Sequence, residues 1–134
     1  MRMTMKKCFL FLGFVLLFSC NHSKDILCTM EYRMLMVSVK DSASKPVILS
    51  HYFVKKTSTG EILDFSEGDT IYRTDGNYII FTDSKMYMTT TAGAEFEFHG
   101  LIGATEVVNE KYVIAHDQCH IRLVSGKTDV VISK

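Results

Sequence analysis

The chain is 134 residues long, 47% hydrophobic and 22% charged, with one proline, eight glycines and no tryptophan. That composition sets it within a single small globular domain and excludes a disordered, collagenous or coiled-coil chain. Lysine plus arginine balances aspartate plus glutamate at 15 each, so there is no global basic field to draw in a polyanion, and no nucleic-acid partner is expected.

Residues 1–7 carry Arg2, Lys6 and Lys7 with no acid, and residues 8–18 (CFLFLGFVLLF) form an unbroken apolar run. This is the n-region and h-region layout of a secretory leader. A run of that length cannot cross a bilayer, which takes about 20 residues for roughly 30 Å of hydrocarbon, and Asn21-His22-Ser23-Lys24-Asp25 ends it at once. Residues 1–19 are therefore expected to be a removed signal peptide. The next feature is Leu17-Phe18-Ser19-Cys20, which resembles the lipobox of bacterial lipoproteins, with Phe18 where a small residue is usual. The resemblance implies a diacylglycerol thioether on Cys20, cleavage before it, and acylation of its new amine. Two or three acyl chains hold a membrane far more firmly than one. Asn21 differs from the aspartate of the inner-membrane retention rule of enteric bacteria, so the resemblance implies a lipid anchor in the outer membrane, with residues 20–28 as the lipidated cysteine and a polar tether. Loss of Arg2, Lys6 and Lys7 leaves 12 basic residues against 15 acids, a mildly acidic exported domain.

Of the four cysteines, Cys8 is expected to leave with the leader, and the lipobox resemblance implies that Cys20 carries lipid. Cys28 and Cys119 remain as an even pair in an oxidising compartment, and a disulfide is expected between them. Strand parity points the same way. It places Cys119 on the face of Ile121 and Leu123, and Cys28 with Met30, Tyr32, Met34 and Met36, so both sulfurs are predicted to point inward.

From residue 29 onward, short β-branched or aromatic runs alternate with turn residues, which predicts an all-β fold with almost no helix: a single β-sandwich over residues 29–134. The expected strands cover residues 30–39, 47–55, 61–65, 70–73, 78–82, 85–90, 95–99, 111–115, 119–124 and 130–133, and Asp75-Gly76 is the strongest hairpin signal. Glu95-Phe96-Glu97-Phe98-His99 alternates most cleanly, with both phenylalanines inward and the acids in water. Residues 35–39 are apolar on both faces, the mark of a central or doubly covered strand. Val37-Ser38-Val39-Lys40-Asp41 through Pro46-Val47, followed by Thr59-Gly60-Glu61, resembles the opening strands of carboxypeptidase-regulatory-like (transthyretin-type) modules, which implies an Ig-like or prealbumin-like sandwich. The stretch from Phe98-His99-Gly100 through residues 106–114 to Asp117-Gln118-Cys119-His120-Ile121 resembles small lipoproteins of Bacteroidetes. That resemblance implies location and architecture and no catalytic residues.

His116, Asp117 and His120 are the one cluster of metal-type ligands. On an extended strand the two histidines lie some 13 Å apart, far beyond a shared ion unless Asp117-Gln118 turns the chain, and the alternative is a turn or strand with solvated histidines. There is no Gly-x-Ser-x-Gly elbow, although a triad could assemble in space. Asp41-Ser42-Ala43 and Asp69-Thr70-Ile71 resemble the O-glycosylation triplet of exported Bacteroidetes proteins, making Ser42 and Thr70 candidate acceptors. The expectation is a non-catalytic, cofactor-free, lipid-anchored accessory or binding module with an envelope protein or glycan as partner. The alternative is a metal-binding or hydrolytic envelope protein centred on His116, Asp117 and His120.

Overall fold

β-Branched and aromatic residues fit a pleated, half-buried surface, and they supply most of the buried strand positions. A computed structural model describes residues 26–65 and 70–133, so the leader and Cys20 lie outside the described residues. The elements in chain order are β1 (Met34–Asp41), β2 (His51–Lys56), β3 (Ile62–Leu63), a short helix α1 (Thr70–Arg73), β4 (Asn77–Thr82), a 3-10 helix (Asp83–Met88), β5 (Ala94–Ile102), β6 (Thr105–His116), β7 (Ile121–Ser125) and β8 (Asp129–Ile132). Among the described residues the strands make two sheets, ordered β4-β1-β8 and β3-β2-β5-β6-β7. β1 is the centre of the smaller sheet, antiparallel to β4 and parallel to β8, as its two apolar faces predict. The larger sheet is antiparallel throughout.

One core joins the sheets. Val37 and Val39 of β1, Tyr78 and Ile80 of β4, and Val130 of β8 pack with Tyr52 and Val54 of β2, Phe96 and Phe98 of β5, and Tyr112 and Ile114 of β6. The aromatics carry the contact across the interface: Tyr52 meets Tyr78 edge-on at 5.0 Å between ring centres, and Phe81 meets Phe96 at 4.8 Å. Edge-on and tilted pairs add to the burial of their apolar area. Phe96 and Phe98 are fully buried, as the alternation predicts.

Tyr78 also does polar work inside this core. Its hydroxyl accepts from the Leu49 amide (2.8 Å) and donates to the Val47 carbonyl (2.6 Å). Residues 47–50 were expected to open a strand, but the phenol takes the place of a strand partner and β2 begins only at His51. Tyr78→Phe leaves a buried amide and carbonyl without that partner. It is expected to cost about 2 kcal/mol, read as a lowered urea midpoint with an unchanged slope.

Several expectations are corrected. Residues 70–73 form α1 rather than a strand, and residues 85–88 lie in the 3-10 helix rather than a strand. In both, an apolar-polar alternation too short to fix its own period takes a helical turn. Asp75-Gly76 is consequently no hairpin. Gly76, at φ 70°, closes α1 by donating its amide to the Arg73 carbonyl (3.0 Å) and leads into β4. A Cβ on Gly76 would sit 2.7 Å from the Val39 carbonyl oxygen, so glycine is required there by close approach as well as by backbone conformation. The two-residue hairpin lies instead at Gly103-Ala104, between β5 and β6, where Ile102 pairs with Thr105 and Gly103 has φ 61°. Positive φ at the first loop residue matches the right-handed twist of the flanking strands.

The parity of the first strand is also reversed. Val37 and Val39 are the buried residues, while Met30, Tyr32, Met34 and Met36 are exposed. Cys28 and Cys119 are joined in a disulfide with 5.3 Å between their Cα atoms, but it lies at the surface, with Cys28 exposed and Cys119 half-buried in the turn before β7. Pairing follows from the cysteine count; the inward direction does not, because neither cysteine belongs to a strand.

Candidate functional site

The disulfide brings the segment before β1 against the turn between β6 and β7, and a polar hub forms beside it. Asp117 opens that turn as an Asx cap. Its Oδ1 accepts from the amides of Cys119 (2.7 Å) and His120 (2.8 Å), and its own amide donates to the His120 carbonyl (3.0 Å). Those two amides outweigh a smaller desolvation and hold the exposed Asp117 carboxyl below the usual range. Asp83, at the start of the 3-10 helix, reaches the same place. Its Oδ1 accepts from the Ile121 amide (2.9 Å), and its Oδ2 accepts from the Arg33 amide (2.8 Å) and meets His120 Nδ1 (2.8 Å). Burial pushes this carboxyl up, but the Arg33 and Ile121 amides and the His120 ring outweigh it and hold it below the usual range.

His120 is buried, which corrects the expectation of solvated histidines. Both its ring nitrogens are engaged, Nδ1 with Asp83 and Nε2 with the Thr29 hydroxyl at 3.0 Å. His116 is aimed elsewhere, its Nδ1 lying 2.6 Å from the Asp117 carbonyl oxygen. Asp117-Gln118 does turn the chain, yet the turn directs His120 to Asp83 rather than toward His116. No group of three or more His, Cys, Asp or Glu side chains among the described residues is arranged to hold a metal ion. The hub does hold a hydroxyl, an imidazole and a carboxylate in line, Thr29–His120–Asp83, which no local spacing in the sequence discloses because the three residues are 91 and 37 positions apart.

A second charged group lies on the outer face of the larger sheet. The register sets Lys55 of β2 beside Glu97 of β5 and Glu97 beside Lys111 of β6, and the next row is Phe53, His99 and Asn109. Lys55 Nζ reaches Glu97 at 2.7 Å. His99 is buried, stacked on Phe53 with ring centres 4.7 Å apart, and bonded through Nδ1 to Glu106. Its Nε2 lies 3.5 Å from Glu97 and makes no hydrogen bond. The acids of this alternation are thus not simply in water: Glu97 is largely covered and paired. The hydrogen bond from Lys55 and, against partial desolvation, the nearby charges hold Glu97 below the usual range; the bond to His99 does the same for Glu106. The Glu106–His99 contact spans the Gly103-Ala104 hairpin, so recognising Ile102-Gly103-Ala104-Thr105 as a two-residue loop was the signal that could have found it.

A carboxyl whose pKa is lower folded than unfolded contributes stability above its unfolded pKa and loses it as pH falls through the folded value. With Asp83, Asp117, Glu97 and Glu106 all depressed, the melting temperature is expected to fall progressively below about pH 5, from the ordinary carboxylate pKa values near 4 downward. A thermal melt series checks this, and Asp83→Asn should flatten part of the slope.

The third feature is a groove of ≈ 460 Å³ lined by Glu106–Glu110 of β6, Val130–Ile132 of β8 and the following Ser133. β7 pairs with β6 only from Val113 to His116, and β8 is the edge of its sheet. Two strand edges therefore flank one groove without pairing with each other. Of the candidate glycosylation residues, Ser42 is exposed in the β1–β2 turn, whose Ala43 and Lys45 amides are held by Asp41 Oδ1, and Thr70 is the first residue of α1. Tyr87 of the 3-10 helix is exposed, whereas Tyr78 and Phe81 of β4 lie in the core. Among the described residues no helix is long and apolar enough to cross a membrane. No family model, curated protein or solved structure matches the chain.

Proposed function

We propose that the protein is a lipid-anchored, non-catalytic accessory of the bacterial cell envelope, held through Cys20 in the outer membrane, that binds an extended segment of another envelope protein. The observation that carries the binding half is the groove between β6 and β8. Open strand edges offer rows of backbone donors and acceptors, which is how extended peptides are recognised by strand addition. The anchoring half rests on the lipobox resemblance at Leu17-Phe18-Ser19-Cys20. The finer description of the fold as an Ig-like or prealbumin-like sandwich belongs to the same proposal, supported by two sheets around one core. The test places a photo-crosslinking residue in the full chain at Asn109 or Val131 in the groove, or at exposed Tyr87 as a control. A discrete adduct from the first two positions and none from the third supports the reading; equal adducts at all three, or none, removes it. In parallel, Cys20→Ser should move the chain from the membrane to the soluble fraction.

A hydrolytic reading has one observation in its favour, the Thr29–His120–Asp83 array, with a hydroxyl 3.0 Å from an imidazole that a carboxylate orients at 2.8 Å. This is the order of groups that activates a hydroxyl nucleophile, and it is centred on Asp83 rather than on His116 and Asp117. Its test is labelling with a fluorophosphonate: adduct on Thr29 that His120→Ala abolishes supports it, and no adduct on Thr29 removes it.

A further inference from the structure

We infer that the segment from Ile26 to Met36 is a lipid-facing stripe that lays the domain on the bilayer surface in a fixed orientation. The inference rests on the anchor reading and adds the surface the domain presents. Thirteen large apolar side chains are exposed among the described residues, and six of them, Ile26, Leu27, Met30, Tyr32, Met34 and Met36, fall within these eleven consecutive residues. Leu27 is 93% exposed and Met30 fully exposed, so neither contributes to the core. An apolar concentration of this kind marks an interaction surface. From Met30 to Met36 the exposed apolar residues recur at every second position, so an extended chain puts them on one side. Inside the sheet the opposite parity, Val37 and Val39, is buried. Arg33 and Glu31 alternate with the stripe and reach each other at 3.8 Å, keeping charge off that side.

The reach of the chain selects lipid as the occupant. Six residues lead from Cys20 to Ile26, and a fully extended chain covers at most about 20 Å over that distance. Once Cys20 is acylated, the start of the stripe cannot leave the headgroup region by more than that. The Cys28–Cys119 disulfide fixes where the tether joins the domain, and the Thr29–His120 and Arg33–Asp83 bonds hold the next residues in place. The stripe is thus both close to the membrane and rigidly set, and its methionines, leucine, isoleucine and tyrosine suit the boundary between headgroups and acyl chains. In this orientation the Gly103-Ala104 hairpin serves as the reference position outside the stripe.

The chain contains no tryptophan, so a single introduced one reports its own depth. Met30→Trp and, as reference, Ile102→Trp are made in the full chain, purified from membranes, and reconstituted into vesicles of phosphatidylethanolamine and phosphatidylglycerol with or without brominated acyl chains. Intact mass is measured on the same samples. The expected result is an acylated chain in which the Met30→Trp indole is blue-shifted and quenched severalfold more than that of Ile102→Trp. An acylated chain in which both are unquenched, or both equally quenched, overturns the inference and leaves the anchor standing. Shielding of the Met30→Trp indole that depends on protein concentration and not on bromination overturns it in favour of a second copy of the chain. A chain without acyl mass removes the anchor reading and this inference together.

Discussion

Reducing the Cys28–Cys119 disulfide, or replacing Cys119 with serine, is expected to produce a large loss of stability in the domain. The bond joins positions 91 residues apart, and its main effect is to restrict the unfolded chain. The chain-entropy relation gives about 4.6 kcal/mol as an upper figure, and about 2–4 kcal/mol is typical of measured bonds. For a domain whose whole stability is about 5–15 kcal/mol, the melting temperature should fall on the order of 10 °C. The disulfide lies at the surface, so cysteine-to-serine replacement opens no large cavity and the loss should be chiefly that of the cross-link. Thermal melts with and without a dithiol reductant check it. Cys119→Ser should then be insensitive to the reductant, while the parent falls to meet it.

Asp83→Ala is expected to cost about 3 kcal/mol, because one carboxylate serves three donors and its removal strands a partly buried amide and a buried imidazole together. The donors are the Ile121 amide at the start of β7, the Arg33 amide just before β1, and the His120 ring. Asp83 also returns its own amide to the Arg33 carbonyl (3.0 Å), a backbone contact the variant can keep. The hub and the disulfide restrain the same two segments. Asp83→Ala and Cys119→Ser should therefore couple in a double-mutant cycle rather than add, as neighbours sharing a restraint do. Urea unfolding of the four proteins measures this. Additivity within about 0.5 kcal/mol would mean that the two devices act independently.

What the sequence made legible followed from signals that are local or compositional. The β-rich character, the central position of residues 35–39, the inward Phe96 and Phe98, and the pairing of Cys28 with Cys119 all came from alternation or counting. What escaped depended on tertiary context. Residues 70–73 and 85–88 carry strand-like residues in runs too short to outvote their surroundings, and they wind into helical turns. The apolar parity of Met30, Tyr32, Met34 and Met36 reads as an inward face and carries Cys28 with it, whereas Val37 and Val39 set the inward face. The expected strand at residues 111–115 is the second half of β6. Its first half, Thr105 to Glu110, reads as polar because only Val108 there is buried. Asp83 gave no signal at all, since its partners lie 50, 37 and 38 positions away.

The mass of the chain recovered from membranes, with its first residue identified, tests the central claim most directly. The expected product is a chain that begins at Cys20, carries acyl groups there, and has Cys28 joined to Cys119. An unmodified Cys20, or a first residue elsewhere, would contradict it.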